Sequence, residues 1–206
     1  MKLPSQFYAM VDPAGGHDPV ELAEMLLAAG ARILQLRLKD TPGRDFLLAA
    51  RAIASRCRLR GAVFIVNDRV DIAILAGADG VHLGQTDLPL APARELIGPG
   101  KTIGISTRNL AMARDAEAGG ADYIGFGPMY PGGLKQTEIG QGLDNLRAVR
   151  AAVKIPIVAI GGITEASMPE VLAAGADAAA IITDVVKAPD ISAKVRALLA
   201  IRNPEP

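Results

Sequence analysis

Four times along the chain a helical pattern ends in Gly-Ala and runs directly into a short apolar stretch. The junctions are Gly30-Ala31 before residues 33–38, Gly77-Ala78-Asp79 before 81–83, Gly120-Ala121-Asp122 before 123–127, and Gly175-Ala176-Asp177 before 178–183. A repeat of this kind constrains the fold more than any single segment does, because each unit must stack on its neighbours to bury its apolar face. Glycine suits the position just past a helix, where the backbone turns left-handed and a Cβ would clash. The apolar run that follows is short enough for a buried strand. Each interval holds one further such run, at 62–67, 102–106 and 156–160, and Phe7–Val11 supplies the first, which makes eight strands.

Helices fill the gaps. Asp18 followed by Pro19 marks a helix start, with the helix running to about Ala29. Residues 41–59 place Phe46, Ala49, Ile53 and Cys57 on one face. Further helical patterns cover 69–76, 91–97, 108–118, 143–153, 167–174 and 191–201. Alternating strands and helices with short links imply a parallel sheet. Eight units within 206 residues favour closure into one (β/α)8 TIM barrel, of the α/β class, over an open doubly wound sheet. We expect one domain over residues 1–206, with 202–206 a frayed tail.

Half the residues are apolar but only 3% are aromatic, so the core must be built from small and branched side chains. That suits strands buried on both faces. The formal net charge is zero, which argues against a nucleic-acid or membrane partner and leaves anion binding to local charge. Cys57 is the only cysteine, so an intrachain disulfide and a Cys-rich metal site are excluded, and the residue reads as core on a helix. Neither a signal-peptide pattern nor a membrane-length apolar run is present, so a cytoplasmic location is expected. Self-association is not readable.

In such a barrel, chemistry sits at the C-terminal strand ends. Gln35, Arg37 and Lys39 alternate with leucines and therefore point to the barrel interior. Inward cations are costly without an anion, so a bound polyanion is favoured over internal ion pairs with Asp40 and another carboxylate. Asp68 and Asp87 follow the next two strands. Each read alone is a helix cap, but for the pair beside cations a Mg2+ site competes with that reading, since Mg2+ takes one or two carboxylates plus phosphate oxygens. Ser106, after the fifth strand, reads equally as a phosphate ligand or a cap. His82 reads as a packed, hydrogen-bonded histidine without a role. The Gly/Pro-rich loop after the sixth strand, to about Gly142, is long enough for a lid and carries Lys135 as an anion-ligand candidate. Gly161-Gly162 after the seventh strand and Ile182-Thr183 after the eighth occupy the usual phosphate position of the fold.

Taken in order, these strand ends resemble thiamine-phosphate synthase over nearly the whole chain. The matching stretches are Gln35-Leu36-Arg37-Leu38-Lys39, Asn67 through Pro89 including Asn67-Asp68-Arg69, Gly104-Ile105-Ser106, Gly120 through Pro128, Ile157 through Ile163, and Gly175-Ala176-Asp177. The resemblance implies a transferase, moving a non-methyl alkyl group, that joins hydroxymethylpyrimidine diphosphate to a thiazole phosphate. It implies that Gln35, Arg37, Lys39 and Asn67 hold diphosphate, that Asp68 and Asp87 bind Mg2+, and that Ser106 contacts the pyrimidine. Lys135 would neutralise the leaving diphosphate, and Gly162, Ile182 and Thr183 would bind the thiazole phosphate. The implied reaction is dissociative, with no protein nucleophile. Two positions depart from the family pattern. Pro131-Gly132-Gly133-Leu134-Lys135 stands where the family has Pro-Thr-x-Thr-Lys, and Arg108 stands where a related tautomerase branch uses His. The alternatives are a diverged barrel acting on another phosphorylated substrate, or a non-catalytic binding or regulatory protein for thiamine intermediates.

Overall fold

The computed structural model describes residues 2–131 and 140–201. Its strands are β1 Phe7–Val11, β2 Ile33–Leu36, β3 Val63–Asn67, β4 Gly80–Leu83, β5 Thr102–Thr107, β6 Tyr123–Phe126, β7 Ile157–Ile160 and β8 Ala178–Ile181. They pair in parallel, in chain order, and β8 closes on β1. The helices are α1 Pro19–Ala28, α2 Gly43–Arg60, α3 Val70–Ala76, α4 Leu90–Ile97, α5 Leu110–Ala118, α6 Gly142–Ala152, α7 Met168–Ala173, α8 Thr183–Val186 and α9 Ile191–Ala200. This is the expected (β/α)8 barrel. The expected tail at 202–206 lies outside the described residues. No described helix is long and apolar enough to cross a membrane.

The repeated Gly-Ala junction is a helix stop of one kind. Gly30, Gly77, Gly120 and Gly175 all have positive φ, between 67° and 107°. In each case the next residue's N–H bonds back to a carbonyl five residues earlier: Ala31 to Leu26, Ala78 to Ala73, Ala121 to Ala116 and Ala176 to Val171. That is the Schellman pattern, and the four alanines are buried against the core. The aspartates of the repeat do a separate job. Asp79 exchanges two bonds with Phe64, its N–H donating to the carbonyl (2.9 Å) and its carboxylate accepting from the N–H (2.8 Å). Asp122 does the same with Ile103 and Asp177 with Ile157. Each aspartate therefore ties the start of one strand to the start of its neighbour, at the face opposite the functional strand ends.

Some boundaries differ from the sequence reading. β2 ends at Leu36 rather than 38, because its partner β1 ends at Val11 and Arg37 N–H makes the last rung to the Val11 carbonyl. β8 ends at Ile181 rather than 183, because the chain turns there into α8, whose first bonds run to the Ile182 carbonyl. Four residues are too few for a periodic signal, so α8 was not expected. On α2, Ala50 is the fully buried alanine and Ala49 is half-buried.

The core has two layers. Between strands and helices lie Leu34, Leu36, Val66 and Ile124 with Leu22, Ile53 and Cys57. Inside the barrel lie Tyr8, Met10, Ile33, Ile65, Tyr123, Val158, Ala178 and Ala180. Large and small residues alternate around this inner layer, as a narrow barrel requires. Gly104 is paired opposite Tyr123, and a Cβ there would collide with the ring.

Candidate active site

A cavity of about 640 Å³ opens at the C-terminal ends of the strands. One side is lined by Gln35, Arg37, Lys39, Asn67, Asp68 and Asp87, with Ser106 beside them. The opposite side is lined by Gly162, Ile182 and Thr183. So every site residue singled out from the sequence meets in one cavity, except Lys135, which lies outside the described residues with Gly132, Gly133 and Leu134.

Both cations carry carboxylate partners and both lie beyond the end of β2, so Lys39 does not point into the barrel interior as expected: 53% of its side chain is exposed at the mouth. Arg37 Nη1 is 2.6 Å from the buried Asp12, whose other oxygen accepts from the Ala14 N–H. Lys39 Nζ is 3.2 Å from Asp68. Asp40 is not their partner; it sits in the left-handed region, with φ 59°. Asp12 was missed in the sequence because nothing local distinguishes it from a loop aspartate. It fixes the guanidinium through one nitrogen, and Arg37 remains part of the cavity wall.

Asp68 and Asp87 are not helix caps. The cap positions of α3 and α4 are Arg69 and Pro89, and neither makes a side-chain capping bond. Asp68 also adopts φ 65°, a left-handed conformation that costs a non-glycine residue of the order of 1–2 kcal/mol. Asp87 accepts from the Gly84 N–H at 2.6 Å. Its carboxyl is raised above the usual range, first by burial and further by a bond to Asp68 and that residue's charge, against the lowering effects of the Gly84 N–H and Lys39. Two carboxyls pressed together in this way form a donor set that a hard cation would relieve. No cluster of three or more potential metal-ligating residues exists among the described residues. Asp68 and Asp87 are thus the two carboxylates here that could hold a hard cation, with its remaining ligands from water or substrate oxygens.

Ser106 does not cap α5 either. Asn109 does, accepting from the Met112 N–H at 2.9 Å. Ser106 Oγ lies 2.9 Å from His82 Nε2. His82 Nδ1 is 2.9 Å from the Tyr123 hydroxyl, which is 2.9 Å from the Tyr8 hydroxyl, which accepts from Gln35 Nε2 at 3.0 Å. Burial holds His82 down to about 4, so it is neutral near pH 7, and burial pushes Tyr8 up to about 12 and Tyr123 well above its ordinary value. The sequence reading of His82 as a packed, hydrogen-bonded histidine describes its contacts, but they connect it to a site residue. Its inward position between Val81 and Leu83, like those of Tyr8 and Tyr123 on their strands, was the available signal.

On the far side, Gly161 and Gly162 have φ 97° and 69°. A Cβ on Gly162 would lie 2.8 Å from the Tyr130 carbonyl oxygen, so the turn is kept bare of side chains where it borders the cavity. Thr183 opens α8, whose cap position Ile182 offers no side-chain bond. Lys187, at the end of α8, also lines the cavity and was not singled out in the sequence.

Comparison with known proteins gives the family. A family model described as thiamine monophosphate synthase matches residues 7–185. The thiamine-phosphate synthase of Methanoculleus marisnigri is 50% identical over 184 residues, covering 89% of this chain and 87% of that protein. That of Moorella thermoacetica is 48% identical over 186 residues, covering 89% and 88%. Among solved structures, thiamine phosphate pyrophosphorylase from Pyrococcus furiosus superposes with a TM-score of 0.87 at 37% identity, covering 94% of this chain and 93% of that one. Barrel, strand-end residues and relatives together place the chain in the thiamine monophosphate synthase family, as a transferase of thiamine biosynthesis.

Proposed function

We propose that the enzyme joins hydroxymethylpyrimidine diphosphate to thiazole phosphate, releasing diphosphate and forming thiamine phosphate. The observation that carries this reading is the division of one cavity into two anion-suited sides. Arg37 and Lys39 with Gln35 and Asn67 form the diphosphate side. Backbone N–H groups at Gly162, Ile182 and Thr183, with the Thr183 hydroxyl, form the thiazole-phosphate side. Lys135 is assigned to the leaving diphosphate from its position in the sequence. The two halves of the product would thus be held across a single mouth, with Ser106 between them for the pyrimidine ring.

The bond from the pyrimidine methylene carbon to diphosphate oxygen breaks with its electron pair leaving on diphosphate. The thiazole nitrogen then donates its lone pair to that carbon. No proton need move in either event, which suits a cavity whose histidine is neutral and buried. The task left to the protein is to stabilise charge growing on the leaving group, and Arg37 and Lys39 would supply it. Asp68 and Asp87 would hold Mg2+, which supplies further neutralisation of that charge when bound. The test is purified protein with both substrates, with and without Mg2+, following thiamine phosphate. Mg2+-dependent product is expected. Absence of product with Mg2+ present overturns the reaction, and undiminished product after chelation overturns the metal assignment.

A further inference from the structure

Five side chains from five strands form an unbroken hydrogen-bonded chain across the barrel: Gln35, Tyr8, Tyr123, His82 and Ser106. Four of them are buried, and only Ser106 is half-exposed at the cavity. We infer that this chain has a fixed direction, set by Gln35, which makes Ser106 a permanent hydrogen-bond donor to the substrate, so that the group it reads is a lone-pair acceptor such as a ring nitrogen.

The direction follows from proton counting. Gln35 Nε2 can only donate, so the Tyr8 oxygen accepts there. Tyr8 is 1% exposed, and its hydroxyl has one other partner in the chain, Tyr123, to which its single proton goes. Tyr123, fully buried, then accepts from Tyr8 and gives its own proton to His82 Nδ1. A neutral imidazole that accepts at Nδ1 carries its proton on Nε2. That proton is donated to Ser106 Oγ, and the serine proton is left for the cavity. With the Gln35 amide nitrogen toward Tyr8, the reverse direction would leave Tyr8 accepting twice with its own buried proton unplaced, which costs roughly 1–3 kcal/mol. Gly104 and Gly125 make room for the chain, since a Cβ at either would fall within 3 Å of the Tyr123 or the His82 ring.

Gln35, Tyr8, Tyr123 and His82 act here as positioning residues, through Ser106. An aminopyrimidine offers acceptor ring nitrogens beside a donor amino group, so a committed donor at Ser106 selects the ring edge and with it the direction in which the methylene carbon points. This last step rests on the proposed synthase reading; the tautomer does not.

The tautomer is measured on the ligand-free, isotope-labelled protein by long-range proton–nitrogen correlation of the imidazoles. There are two histidines, and His17→Gln assigns them. The expected result near neutral pH is a single Nε2–H form for His82. Tyr123→Phe should admit the Nδ1–H form, and so should Gln35→Met, although Gln35 reaches His82 through the tyrosine hydroxyls. An Nδ1–H form in the parent, or an unchanged spectrum in both variants, overturns the inference. In turnover, Tyr123→Phe should raise KM for the pyrimidine substrate about fivefold, the equivalent of one neutral hydrogen bond, and leave KM for thiazole phosphate unchanged. Ser106→Ala should then cost less in the Tyr123→Phe background than in the parent; strict additivity counts against the chain. A parent that makes no product removes the synthase reading, while the tautomer measurement still decides this one.

Discussion

At the residue scale, the cavity's charged groups are held in arrangements that stability alone does not explain. Asp68 keeps a left-handed backbone and a neighbouring carboxyl, and it leaves the start of α3 without a side-chain cap. We therefore expect Asp68→Gly to melt at the same temperature as the parent or higher, because glycine adopts that φ freely, while turnover collapses. A lower melting temperature in thermal unfolding would show that Asp68 stabilises the fold. Asp68→Ala and Lys39→Ala should each lower kcat roughly a hundredfold or more, the scale of losing one preorganised charge contact; wild-type turnover in Asp68→Ala removes its assignment as a metal ligand. By contrast Cys57 is packed in the outer core with its thiol pushed up to about 12 by burial and then by Asp79. Cys57→Ser should leave kcat and KM within about twofold of the parent, since the residue lies away from the cavity. The residues of this scale that the sequence revealed were those with a periodic or paired context, such as Gln35, Arg37 and Lys39. Asp12 escaped because its partner Arg37 is remote in sequence, and the role of His82 escaped because it depends on tyrosines from two other strands.

At the element scale, the repeated Gly-Ala-Asp junction was legible as a helix stop but not as a fastener. Glycine and alanine act within their own turn, so local rules recover them. The aspartate acts across strands, on a backbone N–H whose identity depends on register. Its consequence is testable. Asp122 accepts from Ile103 N–H and pairs with Arg94, half-buried. Asp122→Ala should cost about 1–2 kcal/mol for the lost charged acceptor, lowering the melting temperature by roughly 3–6 °C for a chain of this size. KM values should stay put, because the bond lies at the end of the barrel away from the cavity. A shift in KM without a change in melting temperature would mean the fastener acts on the site instead. Asp18, which accepts from Val20 and Glu21 N–H ahead of Pro19, shows the opposite case, a cap wholly readable from local sequence. α8 was invisible for want of length, and it brings both Thr183 and its cap neighbour Ile182 to the cavity.

At the scale of the whole molecule, barrel closure follows from strand count and chain length, which is why the architecture could be read from the sequence, while the inner polar layer emerged only once eight strands were placed in register. That layer has a consequence for pH. Cys57 and Tyr8 are both raised to about 12, from 9.0 and 10.0, and Tyr123 is raised well above 10.0, in each case chiefly by burial. The folded state holds these protons more tightly than the unfolded chain does. Their effect on stability is absent below about pH 9, where both states are protonated. Above it the unfolded chain ionises first, and each such group removes about 1.4 kcal/mol per pH unit until its folded-state value is passed. Stability should therefore fall progressively from about pH 9 upward, and Cys57→Ser should fall less steeply than the parent. With no tryptophan and three tyrosines, the phenolate absorbance band reports the same event directly. In the closed barrel Tyr8 keeps its proton up to about pH 12 and Tyr123 is held well above its ordinary value, so below about pH 12 most of the phenolate signal should rise together with the loss of far-ultraviolet circular dichroism. Full phenolate absorbance in a still-folded barrel would mean that the inner polar layer is open to hydroxide and that the tyrosines of the chain are not locked in place.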